Sequence, residues 1–474
     1  MGEFAPTKTA DLSAQEKSII AELTDKSVKV RVSPNNYFIA LFMATFFTGL
    51  LAYLKYDVAA ITLFSFAWIA IPVSIWTDRI SFDGKRLTRT GFIPRAWFWL
   101  NNSKLNMKLD EIEQVETQAI RAVKRGGKVF YRYKTQLRVR DLQFVIASGG
   151  GDYRQMVRKL LPFLSENVLD NRSIELRDYI NEPEDTLMKA EFARIPSTEV
   201  LETSINEFKL ADRGLRLARM EREVKPEDLE KANYLRTLGN ELRLSGHLLQ
   251  ALEAFRRALA INPKNSWLLF EFARCLHSFA GSEKNPKLEK KAIAVLRLAE
   301  QRADTNDDEL FSRLGESYFQ YGDWSRARKA FLKAIDSAEE SFRSIRGLAE
   351  ISLREGKIAH VIHHFATANR MAETPALRSW TQSETDYFSK LNDDDDYMEM
   401  ELSRVNLLES LERGKKTSLK IALLSLPMIV VGLMFNEHLV VNIGWAVSSV
   451  SFLIWIGIIM SRNLLSERVP VDFE

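Results

Sequence analysis

The chain has 474 residues, 46% hydrophobic and 27% charged, a composition ordinary for globular protein and long enough for about three domains of roughly 150 residues. Its 66 Lys and Arg against 63 Asp and Glu leave no whole-chain charge that would mark a nucleic-acid partner, and a slightly negative mean hydropathy excludes a transporter built mostly of membrane helices. The single cysteine, Cys275, excludes an intrachain disulfide framework and a cysteine-based zinc site.

An N-terminal segment, 1–36, leads into a hydrophobic hairpin at 37–76. Its two runs, 37–53 and 58–76, are separated only by Leu54, Lys55, Tyr56 and Asp57. A second hairpin lies at 417–460, with runs 421–435 and 439–460 around Asn436, Glu437 and His438. Each run approaches the ~20 residues that a helix needs to cross ~30 Å of hydrocarbon, so four spanning helices in two tight hairpins are expected. Lys26, Lys29 and Arg31 precede the first helix and Arg79, Lys85, Arg86 and Arg89 follow the second; Arg413, Lys415, Lys416 and Lys420 precede the third and Arg462 and Arg468 follow the fourth. The hairpin loops carry only Lys55, so both termini and the whole of 77–416 are expected in the cytoplasm. The first run starts at residue 37 and continues into a second span, unlike a cleaved signal peptide. No Asp, Glu, Lys, Arg or His sits centrally in a span, which favours packing or anchoring over transport.

From 80 to 146 the pattern changes to period two, with Asp83-Gly84 as a hairpin turn between Ile80-Ser81-Phe82 and Leu87-Thr88-Arg89. A further strand is expected at 104–108, and a long one at 129–145. There Tyr131, Tyr133, Leu137 and Val139 interleave with Arg132, Lys134, Arg138 and Arg140, giving one buried and one basic face. Gly149, Gly150 and Gly151 read as a strand-to-helix turn rather than a phosphate cradle, because the Lys-Ser/Thr of a P-loop is missing. An amphipathic helix follows at 152–164. Between Arg79 and Asp141 there are 15 Lys and Arg against 6 Asp and Glu. Arg79, Lys85, Arg86, Arg89, Arg132, Lys134, Arg138 and Arg140 are therefore candidate lipid headgroup contacts, while positive-inside topology and a solvated sheet face explain the same charge equally well.

The run Ile80-Ser81-Phe82-Asp83-Gly84-Lys85-Arg86-Leu87, the break at Gly91, and Leu109-Asp110-Glu111-Ile112-Glu113-Gln114-Val115 make the 77–165 module resemble the bacterial pleckstrin-homology-like domains. The resemblance implies a small, partly open β-barrel capped by a helix, a bacterial inner membrane, and no catalytic residues.

After a helical connector at 166–231, a repeat occupies 232–391 with its cap. Ala251, Phe255 and Ala258 recur as Ala327, Phe331 and Ala334; Leu235, Leu238, Gly239 and Leu242 recur as Phe311, Leu314, Gly315 and Tyr318; and Gly246, Gly322 and Gly356 each precede a helix. This spacing resembles the 34-residue tetratricopeptide repeat, with units at 232–265, 266–307, 308–341 and 342–375. About eight extra residues at 280–288 are expected to widen the turn of the second unit, and 380–391 to cap the last. The resemblance implies a superhelix whose first helices line a groove for a protein or peptide partner. That groove would present Asn233, Arg236, Asn240 and Arg243 from the first unit and Glu309, Arg313, Glu316 and Phe319 from the third. Arg236 and Asn240 match part of a carboxylate clamp used by some family members. Glu271 and Glu309 depart from it, which points to a mixed-charge protein groove.

His360, His363 and His364 share one helix, but no HExxH and no third ligand accompany them, and the acidic run 393–396 lacks calcium-loop spacing. No nucleophile-elbow, Walker or dinucleotide motif occurs, so no enzyme activity, cofactor or metal is expected. A helical lead-in at 392–416, with Met400, Leu402, Val405, Leu408 and Leu411 on one stripe and a bend at Gly414, reaches the second hairpin; a tail at 461–474 ends the chain. The expected fold class is an α+β membrane protein with four transmembrane helices, a small β-barrel closed by a C-terminal helix, and an α-solenoid. The leading expectation is a membrane-anchored scaffold or adaptor that binds protein through the repeat groove. A lipid-sensing or lipid-handling protein using the basic module and an accessory subunit of a larger membrane assembly are the alternatives.

Overall fold

The computed structural model describes residues 27–101, 105–125, 128–139, 142–147, 151–204, 214, 216, 225–338, 341–465 and 468. In chain order the elements are β1 (Val28–Arg31), α1 (Asn35–Tyr53), α2 (Asp57–Thr77), β2 (Arg79–Phe82), β3 (Arg86–Thr90), α3 (Phe92–Asn101), β4 (Asn106–Lys108), β5 (Gln114–Arg125), β6 (Lys128–Val139), β7 (Leu142–Ala147) and α4 (Gly151–Leu160). Then follow α5 (Asn171–Tyr179), α6 (Pro183–Phe192), α7 (Thr198–Ser204), α8 (Pro226–Leu244), α9 (Leu248–Ile261), α10 (Ser266–Glu283), α11 (Pro286–Arg302), α12 (Asp308–Gln320) and α13 (Trp324–Ala338). The last elements are α14 (Phe342–Arg354), α15 (Ile358–Met371), α16 (Pro375–Asp393), α17 (Asp395–Met434) and α18 (His438–Leu465). Two compact units divide the chain. One combines residues up to Ser33 with Thr77–Gln382, the other Pro34–Trp76 with everything from Ser383.

In the first unit, hydrogen bonding assembles two antiparallel sheets, β1-β2-β3-β4 and β5-β6-β7. Among the described residues no ladder joins them, so two sheets stand where the sequence suggested one small barrel. The Asp83-Gly84 turn is as expected: Asp83 Oδ1 accepts from the Lys85 and Arg86 amides at 3.0 and 2.8 Å, and Gly84 takes φ +90°. These amides hold the Asp83 carboxyl below its ordinary value. The N-terminal segment contributes β1, an edge strand paired Val28↔Phe82 through Arg31↔Arg79. Only Val28 and Val30 of this strand are buried, too short an alternation to stand out in the sequence. One core joins the sheets, α4 and the repeats: Leu87, Met107, Leu137, Met156 and Leu160 share it with Phe342, Ile345 and Leu377.

The repeats form four helix pairs, α8–α9, α10–α11, α12–α13 and α14–α15, followed by α16. Small residues set how closely the helices approach. A Cβ on Gly239 would fall 2.9 Å from the Phe255 ring, and on Gly315 and Gly347 within 2.5 Å of opposite ends of the Phe331 ring. At the turn inside three of the pairs, Gly246, Gly322 and Gly356 adopt φ +87°, +81° and +72°. In the second pair Lys284 takes that left-handed position at φ 52°. Its extra residues do not widen the turn. They lengthen the helices, to 18 and 17 residues against 13 and 15 in the third pair.

The second unit holds four helices long and apolar enough to cross a membrane. Both hairpins turn through a left-handed residue, Lys55 at φ 63° and Asn436 at φ 57°. Phe46 of α1 packs on Trp445 and Phe452 of α18 with centroids 5.1 and 4.8 Å away, and Tyr53 Oη donates to Asn442 Oδ1 at 2.6 Å. The lead-in passes through Gly414 without a break in the helix. It is continuous with the third hydrophobic run, giving the 40-residue α17, and Glu412 pairs with Arg462 of α18 at 2.9 Å.

Candidate functional site

Helix α5 starts where Asp170 accepts from the Ser173 amide at 2.9 Å, an N-cap that satisfies a free helix donor. The strand side holds this start in place. Asp170 N donates to Val115 O at 3.1 Å, Asp170 Oδ1 accepts from Thr117 N at 3.2 Å, and Val115 bridges Leu169 in parallel. A buried chain of hydroxyls runs from Tyr153 through Thr135 and Thr117 to Ser173, with spacings of 2.8, 3.0 and 2.8 Å.

The opposite side of the same segment lies on the first helices of the repeats. Glu175 pairs with Arg243 of α8 at 2.9 Å and with Arg274 of α10 at 2.8 Å, all three buried. Tyr179 Oη donates to Glu271 Oε1 at 3.1 Å, and Arg236 forks onto Glu271 at 2.6 and 2.8 Å. Further along, Arg343 of α14 donates to the carbonyls of Glu166 and Leu169 at 3.0 and 3.4 Å, and Ser165 Oγ donates to Glu373 Oε2 at 2.6 Å. The inner face of the array is thus occupied by 165–179 of its own chain. Burial raises the Glu175 pKa, but Arg243, Arg274 and Arg172 outweigh it and hold the carboxyl below its ordinary range.

The residues expected to line the groove divide accordingly. Asn233 is exposed. Arg236 meets Glu271; Asn240 is buried and accepts from Arg243 Nη2 at 3.3 Å; Arg243 meets Glu175. Glu309 is exposed and bonds Arg313 one turn on, while Arg313 lies over Trp267 at 5.1 Å, as Arg236 does at 5.9 Å. Glu316 pairs with Arg343 at 3.3 Å, and burial raises its pKa. Phe319 is half-buried beneath Arg354 at 5.1 Å. Glu271 and Glu309, the two departures from the clamp pattern, each neutralise an arginine of the array. Arg274 and Glu175 are not among the expected residues, and no motif or spacing in the sequence marks them, because the pairing joins α5 to α8 and α10 far along the chain.

The described basic residues of the β-module fall on both sheets, with Lys85 in the turn between β2 and β3. Lys85, Arg86, Arg132 and Arg138 are exposed, and Arg79 and Lys134 are half-buried. Arg89 is committed to Asp78 by two bonds of 3.0 and 2.7 Å, and Arg140 lies outside the described residues. His363 and His364 have ring centroids 5.7 Å apart, and burial, with His363 and His360 beside it, lowers the His364 pKa to about 4. Among the described residues no group of three His, Cys, Asp or Glu is placed to hold a metal ion.

A tetratricopeptide repeat family model matches residues 232–265, the pair α8–α9. No curated protein matches. A solved structure described as the crystal structure of the APC/C hetero-tetramer Cut9-Hcn1 is similar to this chain at 14% identity, with 67% of this chain and 69% of that chain covered and a TM-score of 0.27.

Proposed function

We propose that this chain is a membrane-anchored scaffold that gathers protein partners on its repeat array. The observation that carries the reading is the run of four stacked helix pairs, the first matching the tetratricopeptide repeat, a form whose use is protein binding. The four apolar helices favour anchoring, and the Lys and Arg flanking each hairpin favour a cytoplasmic array. The four- and three-stranded sheets with α4 in their core favour a pleckstrin-homology-like reading of 77–165.

Because 165–179 already fills the inner face, a partner that binds there does so by exchange with α5. Crosslinked capture from intact membranes tests this. Glu175→Gln loosens α5 and raises capture, whereas Asn233→Ala with Glu309→Ala, at exposed positions that do not hold α5, lowers it. If neither change alters any captured protein, the inner face is not the partner surface.

A further inference from the structure

Asp78 alone joins the end of α2 at Thr77 to the start of β2 at Arg79, and Gly91 alone joins β3 to α3. These two joints touch. A Cβ on Gly91 would fall 3.0 Å from Asp78 Cα and 3.2 Å from Pro94 Cδ, and Arg89 forks onto Asp78 beside them. Helix α3 therefore springs from the point where the chain leaves its second apolar helix. With ten residues it is about 15 Å long, so all of it stays close to that point.

Its sequence, FIPRAWFWLN, holds one charge, Arg95, and three of its large apolar side chains are uncovered: Phe92 is 63% exposed, Ile93 43% and Trp99 81%. Bulky apolar groups clustered on a short helix mark a surface meant for something other than water. Continuity with the end of α2 identifies that something as lipid, since Trp and Phe settle at the headgroup level of a bilayer.

We propose that α3 is an interfacial helix, lying in the headgroup–acyl boundary of the bilayer that α2 crosses and burying Phe92, Ile93 and Trp99 in it. The proposal rests on the membrane-spanning reading above. It gives the β-module a second, noncovalent hold on the membrane, made by apolar contact rather than by the basic residues.

The test uses the full chain in vesicles of phosphatidylcholine with a minor share of phosphatidylglycerol. Cys275 is buried, and burial pushes its thiol up to about 12, so it does not compete for a thiol-reactive, polarity-sensitive fluorophore. The label is placed at Trp99→Cys, at Ile93→Cys as a second site on α3, at Leu424→Cys in α17, and at the exposed loop position Thr305→Cys. Phospholipids carrying a doxyl group on the acyl chain are expected to quench the α3 labels about threefold or more beyond the Thr305 label, and aqueous iodide to show the reverse order. Quenching at Leu424→Cys with α3 labels as water-accessible as Thr305→Cys overturns the proposal alone. A water-accessible label at Leu424→Cys overturns the membrane reading and this proposal with it.

Discussion

Glu175 and Arg243 meet at 2.9 Å with both side chains buried, and this pair ties the segment following the sheets to the first repeat. Arg274 adds a second arginine at 2.8 Å. Removing the acid leaves two buried guanidinium groups without a counter-charge, which costs about 3 kcal/mol or more. Glu175→Gln should therefore lower hydrogen-exchange protection of α5 amides by about two orders of magnitude, with the turn of β2 and β3 unaffected. Unchanged protection would show that the pair contributes little.

The same carboxylate sets a pH dependence. Its folded pKa lies below the ordinary glutamate value of 4.5, so the unfolded state binds the proton first. The stabilisation is complete above that ordinary value and is lost as pH falls through the lowered one. α5 protection measured in acid should decline below about pH 4.5 in the native chain and lose most of that dependence in Glu175→Gln.

Arg236 holds Glu271 with two parallel bonds, a geometry that only a guanidinium supplies. Arg236→Lys keeps the charge but loses the fork. It should destabilise the joint between the first two repeats by about 1–2 kcal/mol, read as faster exchange in α8 and α10. Arg236→Ala, which strands the Glu271 carboxylate, should cost more.

Phe331 lies between Gly315 and Gly347, with no room for a methyl group on either. Gly315→Ala or Gly347→Ala should each destabilise the third and fourth repeats by about 1–3 kcal/mol, measured by thermal unfolding. Gly281, which faces open space, should tolerate Ala.

Lys284 adopts φ 52° where the other three pairs use glycine. Lys284→Gly should relieve that strain and stabilise the second repeat by about 0.5–1 kcal/mol in the same thermal assay.

The repeats were legible because their physics is local. Gly239 beside Phe255, and Gly246 at the turn, are short-range requirements written at fixed spacing. The apolar hairpins were legible by length alone. The connector at 166–231 is legible as helical, but the docking of α5 is not, because Glu175 finds Arg243 and Arg274 across 68 and 99 residues of chain, and no periodicity records such a pairing. β1 is illegible for a similar reason: Val28 and Val30 become a strand only when β2, beyond the intervening hairpin, offers an edge. The candidate groove residues lie on α8 and α12, but whether Arg243 faces a ligand or Glu175 of the same chain depends on tertiary structure alone.

The central claim, a protein-binding array whose inner face exchanges α5 for a partner, is tested most directly by site-specific photocrosslinking in intact membranes. The reactive group is placed at Asn233 and Glu309, the two expected groove residues that remain exposed. The result predicted is a covalent adduct with a second protein at both positions, with yields that rise when Glu175→Gln loosens α5. Adducts only within the chain, unchanged by Glu175→Gln, would contradict it.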